Sequence, residues 1–286
     1  MDVDPGWRAD VVHANDWHGG LLPVQFGDVG GNRPATVFTI HNLAYQGLFP
    51  SSILPMLNIP PRLSTPDGIE FHGQVSFIKA GIQFSDHLTT VSPSYAREIL
   101  MPEHGCGLDG LIRHRAGHLT GILNGVDYQI WDPAHDTHLA ANYQIDDLFG
   151  KRVCKTELQR ELGLPIQSNV RLIVWISRIT HQKMADILLD ALPAMLERDV
   201  QFALLGQGDS ILEGRLRSAA YRYPDRMSVR IDYEEALAHR FYGGGDVLLH
   251  PSRFEPCGLT PLYGLRYGTL PVVRHVGGLL DTIVHE

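Results

Sequence analysis

A two-domain α/β fold built on parallel sheets is predicted by three features of the 286-residue chain. Apolar runs of strand length alternate with amphipathic stretches, and Gly, Asn, Asp and Pro separate them. The strand segments are continuously apolar, as parallel strands covered on both faces are. The alternation fails between about residues 124 and 147, where a domain boundary fits.

The elements follow in order. A buried strand at 11–14 leads into a helix at 17–25, and a strand at 36–41 follows. A helix at 74–84, a strand at 87–91 and a helix at 93–100 complete the first half. Asn124-Gly125 is a turn signal, and the stretch from Trp131-Asp132-Pro133 to Asp146-Asp147 shows no clear period. The second half alternates strictly: helix 151–162, strand 171–177, helix 183–197, strand 201–206, helix 210–222, strand 228–231, helix 234–242, strand 246–250, helix 259–267 and strand 270–273. The expected organisation is a domain at 1–125, a linker at 126–147 and a second domain at 148–286. Three good strands are few for a doubly wound sheet. The segment from Gly278 to Glu286 reads as a helix just beginning. Both domains are therefore expected to be incomplete, in a chain cut from something longer at both ends.

Composition narrows the function classes. Hydrophobic residues make up 44% and charged residues 20%, and the formal net charge is -8. That balance argues against a nucleic-acid partner or an anionic membrane surface, since either favours a basic face. Cys106, Cys154 and Cys257 are odd in number and widely spaced, so a reducing cytoplasm is the simpler reading. Met1-Asp2-Val3-Asp4-Pro5 has no basic or apolar leader region. No apolar run approaches the ~20 residues of a membrane helix.

Ligands of open parallel sheets sit at the carboxyl ends of strands, so the strand-to-helix loops carry the chemistry. The loop after Ser177 holds Arg178 and Lys183, two cations suited to a departing diphosphate. The loop after His250 runs Pro251-Ser252-Arg253-Phe254-Glu255-Pro256-Cys257-Gly258 and opens a helix at Leu259-Thr260-Pro261. That helix start offers N–H groups and a positive dipole end to a phosphate. Glu255 could accept from sugar hydroxyls, steady charge at an anomeric carbon, or simply cap the helix. Cys257 reads as a small buried thiol rather than a nucleophile. His41 and Asn42 end a strand and could line a cleft. His13, Asp16 and His18 straddle a turn and show no ordinary zinc spacing, so no metal site is expected. Gly206-Gln207-Gly208-Asp209 is half of a dinucleotide fingerprint and reads as a tight turn near a nucleotide.

Taken together these segments resemble the bacterial-type glycogen and starch synthases. The resemblance rests on His13-Ala14-Asn15-Asp16-Trp17-His18, Phe38 to Gly47, Val91 to Glu98, Leu123-Asn124-Gly125-Val126-Asp127, Ser177 to Lys183, Pro251 to Thr260, Tyr263 to Pro271 and Gly277-Gly278-Leu279, in that order along the chain. It implies the GT-B fold, two Rossmann-like domains facing a cleft. It implies retaining transfer of glucose from ADP-glucose to the non-reducing end of an α-1,4-glucan acceptor, with no cofactor and no obligatory metal. By resemblance, Arg178 and Lys183 bind the donor diphosphate, Glu255 contacts the donor glucose, and the Cys257–Gly258–Leu259–Thr260 turn holds the distal phosphate. His41 and Asn42 face the transferred sugar with Asp16 and Asn124 nearby, and Tyr233 stacks near the adenine. Tyr263 stands where a related branch carries a second Glu, which favours the synthase branch.

Three departures accompany the match. The family's Lys-x-Gly-Gly-Leu loop is absent, Met184 stands in place of a usual Gly after the Lys, and Asp232 stands where a Gly usually precedes the Tyr. The absent loop motivates an alternative, an inactive remnant that binds nucleotide or glucan. A sugar-nucleotide epimerase of the same architecture is a second alternative. ADP-glucose against UDP-glucose, and the oligomeric state, stay open.

Overall fold

The computed structural model describes residues 7–26 and 33–284, so the Met1–Pro5 start and the last two residues of the expected closing helix lie outside the described residues. The chain divides into two compact units, Met1–Asn124 and Gly125–Glu286.

The first unit runs β1 (Val11–Asn15), α1 (Asp16–Gly19), α2 (Leu22–Phe26), β2 (Ala35–Ile40), β3 (Leu48–Phe49), β4 (Glu70–Phe71), β5 (Gln74–Ser76), α3 (Phe77–Phe84), β6 (His87–Thr90), α4 (Pro93–Glu98), α5 (Asp109–His114) and β7 (Leu119–Gly121). Its main sheet has the order β1-β2-β6-β7 and is parallel throughout, with Val37 opposite His87 and Leu88 opposite Leu119. The fourth strand, β7, is only Leu-Thr-Gly, too short and too polar to show as an apolar run.

Two expected helices are corrected here. The 17–25 segment is two short helices, because Pro23 has no N–H to continue the helical ladder from Gly19 and stands instead in the first turn of α2. Between them Gly20 packs on α3, where an added Cβ would lie 1.9 Å from the Phe77 carbonyl oxygen. The 74–84 segment begins as strand β5 and turns helical only at Phe77. β5 pairs with β4 across the two-residue turn His72-Gly73, with φ of 50° and 80°. Two positive φ values give the hairpin turn that matches strand twist. Ser76 then caps α3 by accepting from the Lys79 N–H at 3.2 Å. With β3 these strands form a small antiparallel sheet, β3-β5-β4.

The second unit contains α6 (Phe149–Glu161), β8 (Arg171–Ile176), α7 (Ala185–Leu196), β9 (Val200–Leu205), α8 (Ser210–Arg222), β10 (Met227–Arg230), α9 (Glu235–Gly244), β11 (Val247–His250), α10 (Leu259–Arg266), β12 (Leu270–Val273) and α11 (Leu279–Thr282). The parallel sheet has the order β10-β9-β8-β11-β12. Side chains of a strand alternate between faces, and both faces here are apolar. Leu172 and Val174 of β8 join Leu158, Phe241 and Tyr267 in one core. Trp175 joins Leu188, Leu192, Phe202 and Leu216 in the other. Burial on both faces is why these strands read as unbroken apolar runs.

Residues 125–148 carry no named helix or strand but are tied to this unit by side chains. Tyr143 donates its hydroxyl proton to the Tyr267 carbonyl at 2.8 Å, and buried Asp136 accepts from Tyr267 at 2.5 Å. Order that comes from such contacts leaves no periodicity to read. Among the described residues no helix is long and apolar enough to cross a membrane.

Candidate functional site

Strand order creates the site in the second unit. From β8 the chain moves outward to β9 and β10, then returns to lay β11 on the other side of β8. The crevice beyond the carboxyl ends of β8 and β11 is thus a topological switch point, where open α/β sheets bind ligands. The loops that flank it are the two singled out in the sequence, 177–184 and 251–258.

These loops are laced together. Arg253 N–H donates to the Gln182 carbonyl at 2.8 Å, and Gln182 Nε2 donates to the Phe254 carbonyl at 3.2 Å. The Arg253 guanidinium grips Asp186 with both arms, at 2.9 and 2.7 Å, and also donates to the His181 carbonyl. A bidentate pair of this kind fixes geometry. Arg253 and Asp186 therefore act as a clamp between the loops, and neither was singled out as a site residue.

Inside the clamp, Lys183 and Glu255 form a buried ion pair, 8% and 7% exposed. Glu255 Oε2 also accepts from Ser252 Oγ at 2.8 Å and meets His250 Nε2 at 3.1 Å. None of these three contacts falls on Oε1. Burial alone pushes the Glu255 carboxyl up. The His250 hydrogen bond and the Lys183 charge outweigh it, and the pKa is lowered to about 2. His250 is pushed down, first by its own burial, which keeps the ring neutral. The carboxylate then favours the tautomer with its proton on Nε2, leaving Nδ1 as a buried acceptor without a partner among the described residues. His250 and Ser252 were missed as site residues; their positions at the end of β11 and two residues beyond are the signal that could have found them.

Lys183 is not the first helical residue expected. The helix opens at Ala185, after Met184 adopts a left-handed backbone with φ 56° and ψ 34°. That is the conformation glycine takes most easily, which accounts for the glycine expected at this position.

The next part of the loop delivers α10. Gly258 is left-handed at φ 87°, and a Cβ there would lie 2.7 Å from Leu279 Cδ2. Its N-cap residue, Gly258, makes no side-chain cap bond, so the first N–H groups of α10 have no partner within the helix. Leu259 and Thr260 are half-buried at that end, and Cys257 is buried behind it. The Gly277-Gly278 turn supports the loop from below. Gly278 N–H donates to the Glu255 carbonyl at 2.9 Å, and a Cβ at Gly278 would lie 2.5 Å from Cys257 Cα.

A cavity of about 860 Å³ opens beside this cluster. Arg178, Thr260, Tyr263, Trp131 and Tyr233 contribute to its lining. Its floor includes Gly206 and Gly208, whose added Cβ atoms would lie 1.8 Å from the Ser177 carbonyl oxygen and 2.2 Å from that of Ile179. The paired glycines therefore let the loop after β9 press on the loop after β8, a role in backbone packing. Tyr233 stands 80% exposed at the rim, and Asp232 is turned onto the Tyr233 N–H at 2.7 Å.

In the first unit, three of the singled-out residues meet. Asp16, left-handed at φ 50°, accepts from His41 N–H at 2.8 Å and Asn42 N–H at 3.3 Å. His41 Nε2 meets Asn15 Oδ1 at 2.9 Å, Asn42 Oδ1 accepts from Ala44 N–H, and Tyr95 OH accepts from Leu43 N–H. Asp16 thus shapes the turn that presents His41. Asn124 closes the unit, half-buried, one strand beyond β6. Among the described residues no group of three His, Cys, Asp or Glu side chains is placed to hold a metal ion.

Comparisons with known proteins agree with this architecture. The family model described as starch synthase catalytic domain matches residues 2–114, and that described as glycosyl transferases group 1 matches residues 170–286. The glycogen synthase of Thioalkalivibrio sulfidiphilus is 56% identical over 279 residues, 97% of this chain and 58% of that protein. The glycogen synthase of Serratia proteamaculans is 52% identical, over 99% of this chain and 59% of that protein. The catalytic domain of starch synthase IV from Arabidopsis thaliana, solved bound to ADP and acarbose, superposes with a TM-score of 0.93 at 33% identity, covering 98% of this chain and 59% of that one. A sucrose-phosphate synthase from Thermosynechococcus elongatus, at 18% identity and a TM-score of 0.61, shares the fold. The chain spans somewhat under three-fifths of the length of the relatives it matches. The two parallel-sheet units are of GT-B type, and over nearly its whole length the chain is similar to the glycogen and starch synthases.

Proposed function

We propose that the second unit binds ADP-glucose and that the chain serves retaining transfer of its glucose to the non-reducing end of an α-1,4-glucan. The observation that carries this is the buried Lys183–Glu255 pair at the switch point, beside the uncapped start of α10. The identity to glycogen synthases and the likeness to a starch synthase solved with ADP and acarbose support the substrate class.

In this account the diphosphate lies between the 177–184 loop and α10. Arg178, Lys183 and the Gly258–Thr260 N–H groups meet its charge, with no obligatory metal. An ammonium has three N–H donors, and Lys183 gives one to Glu255, leaving donors for the phosphate oxygens. Glu255 stays ionised and offers Oε1 to a glucose hydroxyl. The bond from the anomeric carbon to the diphosphate oxygen breaks, with its electron pair leaving on ADP. The acceptor 4-hydroxyl bonds to the same face of that carbon and passes its proton to the departing oxygen. By the family resemblance His41, Asn42, Asp16 and Asn124 are assigned to the transferred sugar and Tyr233 to the base, and Asp16 holds the turn that carries His41 and Asn42. Three widely spaced cysteines, none in a disulfide, suit a reducing cytoplasm.

The test is incorporation of labelled glucose into glycogen from ADP-glucose and UDP-glucose in parallel. Transfer from ADP-glucose that falls about 10²–10³-fold in Lys183→Ala supports the assignment. Equal transfer by that variant would sink it.

A further inference from the structure

The cavity has an aromatic wall that the diphosphate reading does not use. Trp131 lies in the 125–148 stretch and is clamped between two rings. His239 of α9 stacks on one face, with centroids 3.9 Å apart and planes 8° apart. Tyr263 of α10 stacks on the other, at 4.0 Å and 12°. Both faces of the indole are therefore used inside the protein. What Trp131 offers the cavity is an edge, and what it controls is the tilt of the Tyr263 ring, which lines the same cavity.

The clamp is itself held from beneath. Asp136 takes His239 Nδ1 at 2.7 Å and the Tyr267 hydroxyl at 2.5 Å, with His239 1% exposed and Tyr267 fully buried. Burial would raise the Asp136 carboxyl; the His239 and Tyr267 hydrogen bonds outweigh that and lower it. Arg266, one turn beyond Tyr263 on α10, donates to the Trp131 carbonyl at 3.3 Å and to Asp132 Oδ1 at 2.6 Å. Gly243 of α9 makes room for Leu139, whose Cδ2 would lie 2.5 Å from an added Cβ. A stretch without helix or strand is thus fastened to two helices, and its one tryptophan ends in the cavity wall. If the diphosphate occupies the α10 end of the cavity, the Trp131–Tyr263 wall is left for the nucleoside.

We propose that Trp131 is a positioning residue for the nucleoside part of a nucleoside diphosphate, acting through Tyr263, with Asp136 and His239 fixing the stack. The proposal rests on the donor-site reading above.

Calorimetric titration of ADP tests both without requiring turnover. Trp131→Ala is expected to weaken ADP about five- to tenfold, and Trp131→Phe to stay within about threefold of the wild type. Asp136→Asn should weaken ADP in the same direction. In a Tyr263→Ala background, the further Trp131→Ala change should cost less than about twofold, because the ring it positions is gone. Wild-type affinity in Trp131→Ala, or full additivity of the two losses, would overturn the inference while leaving the donor site intact. A wild-type chain that binds no ADP would overturn both.

Discussion

Lys183 and Glu255, 72 residues apart in sequence, meet in a buried ion pair that joins the loops following the adjacent strands β8 and β11. The pair lies at the point where strand order reverses, and it draws His250 and Ser252 onto one carboxylate oxygen.

Removing one partner leaves the other charged and enclosed. Lys183→Met and Glu255→Gln are each expected to lower unfolding free energy by about 3–5 kcal/mol in urea titrations. The double variant should be more stable than either single one, since neither uncompensated charge then remains.

The same carboxylate sets an acid limit. Glu255 titrates near 2 when folded, against an ordinary value of 4.5. A depressed carboxyl contributes its stability above the unfolded pKa and loses it as pH falls through the folded one. Unfolding followed from pH 6 down to pH 2 should therefore lose on the order of 3 kcal/mol between about pH 4.5 and 2. Glu255→Gln should flatten that part of the profile.

Gly278 tests the support beneath the loop. An added Cβ would lie 2.5 Å from Cys257 Cα and 2.6 Å from the Pro256 carbonyl oxygen, both backbone atoms. Gly278→Ala is expected to cost about 1–3 kcal/mol and to weaken ADP, because the backbone that must move carries Glu255.

Met184 offers the opposite case. Its left-handed backbone is relieved by glycine, while glycine gains freedom in the unfolded chain. Met184→Gly is expected to raise stability by no more than about 1 kcal/mol in thermal unfolding and to leave ADP affinity unchanged.

The parallel sheets were legible because burial on both faces writes strands as apolar runs, and all eight runs are strands. Helix 210–222 matches α8 residue for residue, helped by Asp209, which caps it through the Ile211 and Leu212 N–H groups. What escaped was structure made by contact. β7 is three residues held by β6, and the β3-β5-β4 sheet rests on one hairpin turn. At the site, Arg178, Lys183 and Glu255 were legible as charges at strand ends. His250 was hidden as a strand residue, and Trp131 as part of an aperiodic stretch. Their roles come from partners 5 and more than 100 residues away, the latter reached only when α9 and α10 pack on that stretch.

The claim that the loops after β8 and β11 form one diphosphate site is tested most directly by the affinity of Lys183→Ala for ADP, with adenosine as the comparison ligand. The account predicts that ADP weakens at least about tenfold while adenosine is unaffected, since the lost group is a phosphate cation. Wild-type ADP affinity in Lys183→Ala would contradict it.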